Sequence, residues 1–412
     1  MGTPTRFSPP FKRLVWSNLL AQAAEQIGLA TAPLLAVFLF SASTSQTAAL
    51  QMVQTLPFLL LAIPAGLLAD RSSRKTVLAF AEGLRAFSFG LILLLIALES
   101  LTLSTLALLG FVGAMGTVAY NVTTPGLVPH LVARPLLSMA NSRLELARSI
   151  AFTSGPGVAG LVFSSMGASF SYCLALVFSL SAVNFLRSLP PNPIVPRHGR
   201  LWAQLSEGMY FTLASPLLRP VLITAVIFNM SWFMLQAAFV PYAAEHLELS
   251  ALEVGITMAC YGLGMIAGAV AAPWAGRQFS FGSMIISGPI GALLGAAAIA
   301  YSIWYPSLAL ACASFFLFGA GPILWTISTT TLRQAVTPPD LISRVSAVIM
   351  TMTYGTRPIG ALMAAMIGSI YPAEYCILAA AIGFIAQLAV IVCSNVPKLA
   401  GIPGPEPRAL PG

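Results

Sequence analysis

Four ionisable side chains lie inside long apolar stretches of the sequence, where charge is rarely found. They are Glu25, Glu82, Arg85 and Arg357. An ionised group in apolar surroundings is costly, so such residues usually form pairs, carry protons or bind charged ligands. Glu25 therefore predicts either a proton-coupling carboxylate or a contact for a cationic substrate. A third interpretation, a neutral glutamic acid hydrogen-bonded within the packing, stays open.

Two of these groups are spaced to meet each other. Glu82 and Arg85 are three residues apart, which places them on one face of a helix and predicts an internal ion pair. Arg357 lies three residues past Tyr354. It either binds an anionic group of a substrate or pairs with an acid such as Glu145.

A stripe of polar residues accompanies Glu25. Asn18, Gln22 and Glu25 recur at helical spacing, with Gln26 beside them. Such a stripe on an otherwise apolar helix is expected to face a water-filled cavity.

The elements that hold these residues are membrane spans. Of 412 residues, 58% are hydrophobic and 8% are charged, whereas soluble domains carry about 25% charged residues. A span needs about 20 apolar residues. Twelve spans are predicted near 14–40, 46–69, 76–98, 101–124, 145–167, 169–189, 217–242, 251–275, 282–303, 306–331, 343–370 and 373–395. The predicted fold class is therefore all-α, a polytopic membrane protein.

The basic residues predict the orientation of the spans. The Lys and Arg residues outside the spans all fall on one side, and the opposite loops, around 41–45, 99–101, 166–169, 243–250, 303–306 and 371–373, contain none. This positive-inside pattern predicts a multi-pass protein of the inner membrane with both termini in the cytoplasm. The net charge of +8 is thus a topology signal, and no nucleic-acid partner is expected.

The chain repeats itself at a shift of about 202 residues. Ala65-Gly66 matches Ala267-Gly268, Lys75 matches Arg277, and Pro156 matches Pro358. The predicted domains are a six-helix bundle over 1–189, a cytoplasmic middle loop with an amphipathic stretch over 190–216, and a second bundle with a short tail over 217–412. Paired six-span repeats are typical of transporters that alternate access to a central site.

The stretch GLLADRSSRK between spans two and three resembles the loop signature of the major facilitator superfamily. Gly66, Asp70, Arg71, Arg74 and Lys75 match the signature, and Ser73 stands where the family usually has Gly. The resemblance covers the whole chain through the span number and the repeat. It implies two pseudo-symmetric six-helix bundles, in which Asp70 contacts the opposing half and steadies the outward-facing state. The alternative is that the charge cluster only sets topology.

A second stretch, SGPGVAG in span five, resembles the Gly-Pro motif of the exporter branches of this superfamily. Gly155, Pro156 and Gly160 would permit a bend and a close helix approach. The neighbouring loops also resemble siderophore exporters and macrolide or tetracycline efflux pumps. The longer glycine spacing upstream of the motif is missing.

The resemblance also implies which faces line the cavity, namely those of spans one, four, seven and ten. On these spans and in span eleven the candidate cavity residues are Asn18, Gln22, Asn121, Asn229, Trp232, Gln236 and Tyr354. Many proton-coupled relatives carry an Arg in span four, and this span has none. Glu25 is therefore the leading proton-coupling candidate. Further candidates for proton coupling or substrate binding are Gln22, Glu82, Arg85 and Arg357.

The predicted function is a secondary transporter that exports a small amphiphilic compound, drug-like or siderophore-like, in exchange for protons. Uptake or facilitated movement of a small polar solute is the alternative within transport; a membrane enzyme or a lipid-moving protein is the alternative outside it. No Gly-x-x-x-x-Gly-Lys-Ser/Thr loop for ATP occurs. We expect a monomer in the bilayer with a small-molecule substrate, no cofactor, no metal and no enzymatic activity.

Overall fold

A computed structural model describes residues 7–61, 64–65, 68, 72–132, 137–190, 201–338 and 341–404. All regular secondary structure in these ranges is helical. The helices are α1 (Pro9–Phe38), α2 (Thr44–Leu60), α3 (Arg74–Ala97), α4 (Leu103–Leu131), α5 (Leu137–Met166), α6 (Ala168–Arg187), α7 (Leu201–Ala214), α8 (Leu218–Glu245), α9 (Ala251–Gln278), α10 (Phe281–Tyr301), α11 (Leu308–Val336), α12 (Ile342–Gly355), α13 (Arg357–Gly368) and α14 (Ala373–Val392), and a 3₁₀ turn spans Val396–Lys398.

The long apolar helices confirm a polytopic membrane protein. Within the described ranges, nine helices are long and apolar enough to cross a bilayer: α3, α4, α5, α6, α8, α9, α10, α11 and α14. The other predicted spans correspond to α1, which carries the polar stripe, to the 17-residue α2, and to the pair α12 and α13. The helices thus follow the order of the twelve predicted spans.

The first helix begins earlier than predicted. The span was expected from residue 14, but α1 starts at Pro9, and the side chain of Ser8 accepts a hydrogen bond from the backbone N–H of Phe11. Pro9 and Pro10 occupy the first helical positions, where a missing N–H does no harm. Helix caps and prolines, and not hydropathy, set this boundary.

The eleventh predicted span, 343–370, comprises two helices, α12 and α13. They meet at Thr356, whose backbone stays in the αR region, and α13 has Pro358 in its first turn. Proline lacks the N–H that would continue the hydrogen-bond ladder of α12. The hydroxyl of Thr356 instead donates to the carbonyl oxygen of Thr353.

The chain divides into two compact units. Unit 1 comprises Met1–Ala42, Val53–Arg197 and Ser250–Ala259. In it α1 packs against α5 and α6, and α3 packs against α4 and α6. Its apolar core is built from residues of these helices, including Leu14, Leu78 and Leu186.

Unit 2 comprises Ser43–Met52, His198–Leu249 and Cys260–Gly412. In it α8 packs against α13 and α14, and α10 packs against α11 and α14. When the helices are numbered by their membrane spans, each packed pair of unit 2 corresponds to a pair of unit 1 whose span numbers are lower by six. The internal packing therefore repeats as the sequence does.

The amphipathic stretch of the middle loop forms α7, which packs against α12. Glu207 of α7 forms an ion pair with Arg344 of α12, and Phe211 joins the core of unit 2. The preceding segment, 191–200, lies outside the described residues, as do Gly66, Asp70 and Arg71 of the signature loop.

Candidate functional site

Arg85 is the centre of a buried polar cluster in unit 1. Its guanidinium Nη1 lies 2.6 Å from Oε1 of Glu82 and donates to the carbonyl oxygen of Ala21 at 2.9 Å. Its Nη2 donates to Oγ1 of Thr117 at 2.8 Å and lies 3.6 Å from Oε2 of Glu25. The internal ion pair predicted from the spacing of Glu82 and Arg85 is confirmed, and Glu25 is a second acid beside the same cation.

The two acids differ in their surroundings. Glu82 is fully buried, and its Oε2 accepts a hydrogen bond from the hydroxyl of Ser179 at 3.2 Å. The side chain of Glu25 is 10% exposed and stands farther from the guanidinium. We call Glu25, Glu82, Arg85, Thr117 and Ser179 the Arg85 cluster; within it, Glu25 is the acid that water reaches more readily.

A close helix approach brings Thr117 to Arg85. Gly116 of α4 faces the carbonyl oxygen of Ala81 on α3, and a Cβ at this position would lie 2.3 Å from that oxygen. Only glycine permits this contact. The next residue, Thr117, thereby reaches the guanidinium of Arg85, so a backbone contact positions the hydrogen bond.

The polar stripe of α1 reaches three different helices. Nδ2 of Asn18 donates to the carbonyl oxygen of Leu144 on α5 at 3.1 Å. Nε2 of Gln22 donates to Oδ1 of Asn121 on α4 at 3.2 Å. With Glu25 beside Arg85 on α3, the stripe is a set of interhelical contacts at the centre of unit 1.

The charges of the Arg85 cluster are unbalanced. One guanidinium faces two carboxyl groups, so the fully ionised cluster carries one net negative charge. A net charge is unfavourable in a site this buried. Uptake of one proton would neutralise the cluster.

Unit 2 contains a cluster of aromatic side chains around Trp232, whereas the cluster in unit 1 is polar. The indole of Trp232 stacks on the ring of Tyr261 at 5.1 Å between centroids and meets Phe318 at 4.8 Å and Phe315 at 5.6 Å. The ring of Phe228 stacks on the same indole at 6.4 Å. We call these five residues the Trp232 cluster. Trp232 itself is buried and packs against these rings. Its role in lining a cavity stays a prediction.

Arg357 lies among aromatic rings in unit 2. Its guanidinium carbon is 4.0 Å from the ring centroid of Tyr354 and 4.9 Å from that of Phe233. Cation–π contacts of this kind stabilise a desolvated arginine. Glu145, the acid named as its possible partner, forms an ion pair with Arg148 at 3.3 Å.

The remaining polar candidates of unit 2 make ordinary hydrogen bonds. Nδ2 of Asn229 donates to the carbonyl oxygen of Ala225 in its own helix at 3.0 Å. Oε1 of Gln236 accepts from Nε2 of Gln51 at 3.1 Å. These hydrogen bonds fix the positions of the two side chains and do not indicate a role in substrate or proton binding.

Of the five residues that match the signature, Arg74 and Lys75 lie within the described ranges. Nη1 of Arg74 lies 2.6 Å from Nε2 of His130 on α4. Nζ of Lys75 donates to the carbonyl oxygen of Leu189, just past the end of α6. Both basic residues thus hold the beginning of α3 against neighbouring helix ends of unit 1.

The Gly-Pro motif lies in the middle of α5, which runs through Pro156. A Cβ at Gly155 would lie 2.5 Å from Cβ of Gln26 on α1. One at Gly160 would lie 2.8 Å from the backbone of Gly255 on α9. The close helix approach expected from this motif is therefore present on two sides of α5.

Sequence reasoning missed two features. Ser179 contributes to the Arg85 cluster, but a serine in an apolar helix gives no signal of its own. The second feature is His246, which follows α8; its Nδ1 lies 2.7 Å from Oε1 of Glu374 and its Nε2 lies 2.9 Å from the carbonyl oxygen of Ile303. The internal repeat of the sequence does not predict the contacts of Ser179 or of His246, because each occurs in one unit only.

The repeated helix packing and the buried intramembrane charges define a polytopic membrane transporter. The sequence matches the family described as transmembrane secretion effector over residues 7–403. The chain belongs to this family of major facilitator superfamily transporters, as its signature loop predicted.

Curated relatives and solved structures agree with this placement. The enterobactin exporter EntS of Escherichia coli O1:K1 is 27% identical over 310 residues, covering 74% of this chain and 72% of the relative. The EntS protein of Shigella boydii serotype 18 gives the same values.

Among solved structures, a bacterial homologue of the iron transporter ferroportin in the inward-facing state has a TM-score of 0.72 at 17% identity, covering 93% of this chain and 98% of that one. The nucleoside transporter NupG has a TM-score of 0.70 at 13% identity, covering 93% of this chain and 98% of that one. These likenesses show the fold.

Proposed function

We propose that the protein is a monomeric exporter of the inner membrane that exchanges protons for a small amphiphilic compound by alternating access. The observation that carries this proposal is the Arg85 cluster, in which one buried cation faces two acids. A proton on Glu25 neutralises the cluster, and loss of that proton restores its negative charge. Such a two-state charge is what coupling to a proton gradient requires.

The two acids take different roles in this proposal. Glu82 is fully buried and hydrogen-bonded to Ser179, so it anchors Arg85. Glu25 is more exposed and makes the longer contact with the guanidinium, so it exchanges the proton. Gln22 and Asn121 continue the polar surface beside it.

The aromatic and cationic surroundings in unit 2 support an amphiphilic substrate that carries an anionic group. In the Trp232 cluster, the half-buried rings of Phe228 and Tyr261 offer an aromatic surface to an apolar body, and the buried Trp232 packs behind them. Arg357 offers a cation held among rings, which suits a carboxylate or a phenolate. The relatives named for export of enterobactin support a siderophore-like compound.

The signature loop and the Gly-Pro motif complete the proposal. We assign to Asp70, with Gly66, Arg71, Arg74 and Lys75, a role in steadying one of the alternating states. Gly155, Pro156 and Gly160 let α5 approach its neighbours closely during the cycle. The proposed domains are 1–189, 190–216 and 217–412, with both termini in the cytoplasm.

Transport into inside-out vesicles tests this function. Vesicles with an acidic interior are prepared from cells that contain or lack the protein, and uptake of enterobactin and of ethidium is followed. We expect uptake that depends on the protein and stops when a protonophore removes the gradient.

Two results would contradict the proposal. Uptake that persists at full rate after the gradient has collapsed would indicate facilitated movement. Protein-dependent accumulation only in right-side-out vesicles would indicate import.

A further inference from the structure

The outer surface of unit 1 has a groove between α3 and α6. One hollow of about 550 Å³ is lined by Lys75, Thr76, Ala79, Phe80, Gly83, Leu84, Phe87 and Arg187. A second of about 390 Å³ lies beside it and shares Gly83, Phe87 and Arg187. We call the two hollows together the α3–α6 groove. It lies apart from the Arg85 cluster, since neither Glu25 nor Glu82 lines it.

The groove is charged at one end and apolar along its length. Lys75 lies in the first turn of α3 and Arg187 is the last residue of α6, so antiparallel packing places both cations at the same end. The exposed hydroxyl of Thr76 and the exposed amide of Asn184 add donors there. Away from this end the lining is apolar, and Phe80 and Phe87 are 66% and 61% exposed. No acid is among the lining residues.

The length of the groove matches one leaflet of a bilayer. From Thr76 to Phe87 the helix rises about 17 Å at 1.5 Å per residue. The hydrocarbon core is about 30 Å thick, so the groove runs from the polar boundary to about the midplane. The distribution of Lys and Arg assigns the charged end to the cytoplasmic leaflet, where anionic lipids attract basic residues.

We propose that the α3–α6 groove binds an anionic glycerophospholipid. The phosphate lies between Lys75 and Arg187, and the two acyl chains lie in the two adjacent hollows. Nζ of Lys75 is held at the end of α6 by its hydrogen bond to the carbonyl oxygen of Leu189, so a lipid there would bridge the ends of α3 and α6. A zwitterionic lipid fills the same apolar space but gains less from the two cations.

Gly83 offers a direct way to fill the groove. A Cβ at Gly83 would meet no atom within 4 Å, and the same is true of Gly90 on the same helix, which does not line the groove. Gly83→Leu therefore occupies the lipid position without a clash inside the protein. Gly90→Leu is the matched control.

Native mass spectrometry of the purified full chain, titrated with equal amounts of dioleoyl phosphatidylglycerol and dioleoyl phosphatidylethanolamine, tests the proposal. We expect the wild type to retain phosphatidylglycerol in preference to phosphatidylethanolamine. Arg187→Gln should reduce that preference about fivefold, the contribution of one basic side chain near anionic lipid. Arg219→Gln, which removes an exposed basic residue of unit 2, should leave it unchanged.

The glycine variants separate the groove from general surface charge. Gly83→Leu should lose most phosphatidylglycerol binding at an unchanged melting temperature, and Gly90→Leu should bind as the wild type does. Equal retention of the two lipids by the wild type would overturn the proposal. So would undiminished phosphatidylglycerol binding by Gly83→Leu, or an equal loss in Arg187→Gln and Arg219→Gln.

Discussion

Arg85 shows how a single buried side chain organises its surroundings. The residue is 1% exposed, and four neighbours contact its guanidinium. A buried cation of this kind adds little net stability while its partners are present, because its desolvation offsets the attraction. Removing it leaves two carboxyl groups facing each other in the same apolar space, and that arrangement is much less favourable.

Arg85→Gln should therefore lower the free energy of unfolding by about 3–5 kcal/mol. Thermal unfolding of the purified variant in detergent measures the effect as a fall in melting temperature. Arg148→Gln is the control, since the pair of Arg148 and Glu145 is exposed and contributes less than about 1 kcal/mol. Equal effects of the two substitutions would show that the Arg85 cluster is no more than a surface pair.

At this scale the sequence predicts pairs within one helix better than contacts between helices. The three-residue spacing of Glu82 and Arg85 is sufficient to predict their ion pair. The contact of Arg85 with Glu25 depends on the packing of α1 against α3, which no local pattern encodes. Ser179 could not be found for the same reason, because its role comes from the position of α6.

Small residues allow two helices to pack closely, but only the structure shows which of them lie at such a contact. Gly90 and Gly116 both lie in apolar helices, and hydropathy does not separate them. Gly116 touches the backbone of α3, whereas Gly90 has open space around it. The same residue type is thus required at one position and replaceable at the other.

Gly116→Ala should destabilise the protein by about 1–3 kcal/mol, because its Cβ overlaps the carbonyl oxygen of Ala81. It should also weaken the hydrogen bond between Thr117 and Arg85, since α4 must move away from α3. Gly90→Ala should be neutral or slightly stabilising. Melting temperatures of the two variants check this, and a stable Gly116→Ala would refute the close approach.

His246 connects three elements of unit 2: the end of α8, the loop after α10, and α14. Both ring nitrogens face acceptors, Oε1 of Glu374 and the carbonyl oxygen of Ile303. Tyr242 stacks on the ring at 5.2 Å between centroids.

A double-mutant cycle with His246→Ala and Glu374→Ala measures this connection. The pair is about a quarter exposed, so we expect a coupling free energy of about 1 kcal/mol, between the values for exposed and buried pairs. Additive effects on unfolding would mean that the two residues act independently.

Prolines and caps mark two helix boundaries that hydropathy alone does not locate. Pro358 breaks the eleventh span, and Ser8 with Pro9 starts α1 ahead of its apolar stretch. Both signals were present in the sequence. The hydropathy of a membrane span describes contact with lipid, and it says nothing about where the backbone ladder begins or ends.

For the whole molecule, the sequence predicted the class and the repeat, because composition and charge distribution are global properties. The helix pairs of unit 1 recur in unit 2 six spans later. The chemistry of the two units was not predictable from the repeat. Unit 1 contains the Arg85 cluster, whereas the corresponding interior of unit 2 holds the Trp232 cluster.

The orientation in the membrane is testable by fusions. Green fluorescent protein joined after residue 404 should fluoresce, and alkaline phosphatase joined there should be inactive, because the positive-inside pattern puts this end in the cytoplasm. Alkaline phosphatase inserted in the loop at 303–306 should be active. The reverse pattern at both sites would show that the charge distribution has been misinterpreted.

The central claim is that Glu25 carries the coupling proton, and comparison of Glu25→Gln with the wild type tests it most directly. In inside-out vesicles, substrate exchange without a pH gradient and accumulation driven by an acidic interior are measured side by side. We predict that Glu25→Gln, which is permanently neutral, keeps exchange but loses gradient-driven accumulation. Accumulation by Glu25→Gln with the pH dependence of the wild type would contradict the account.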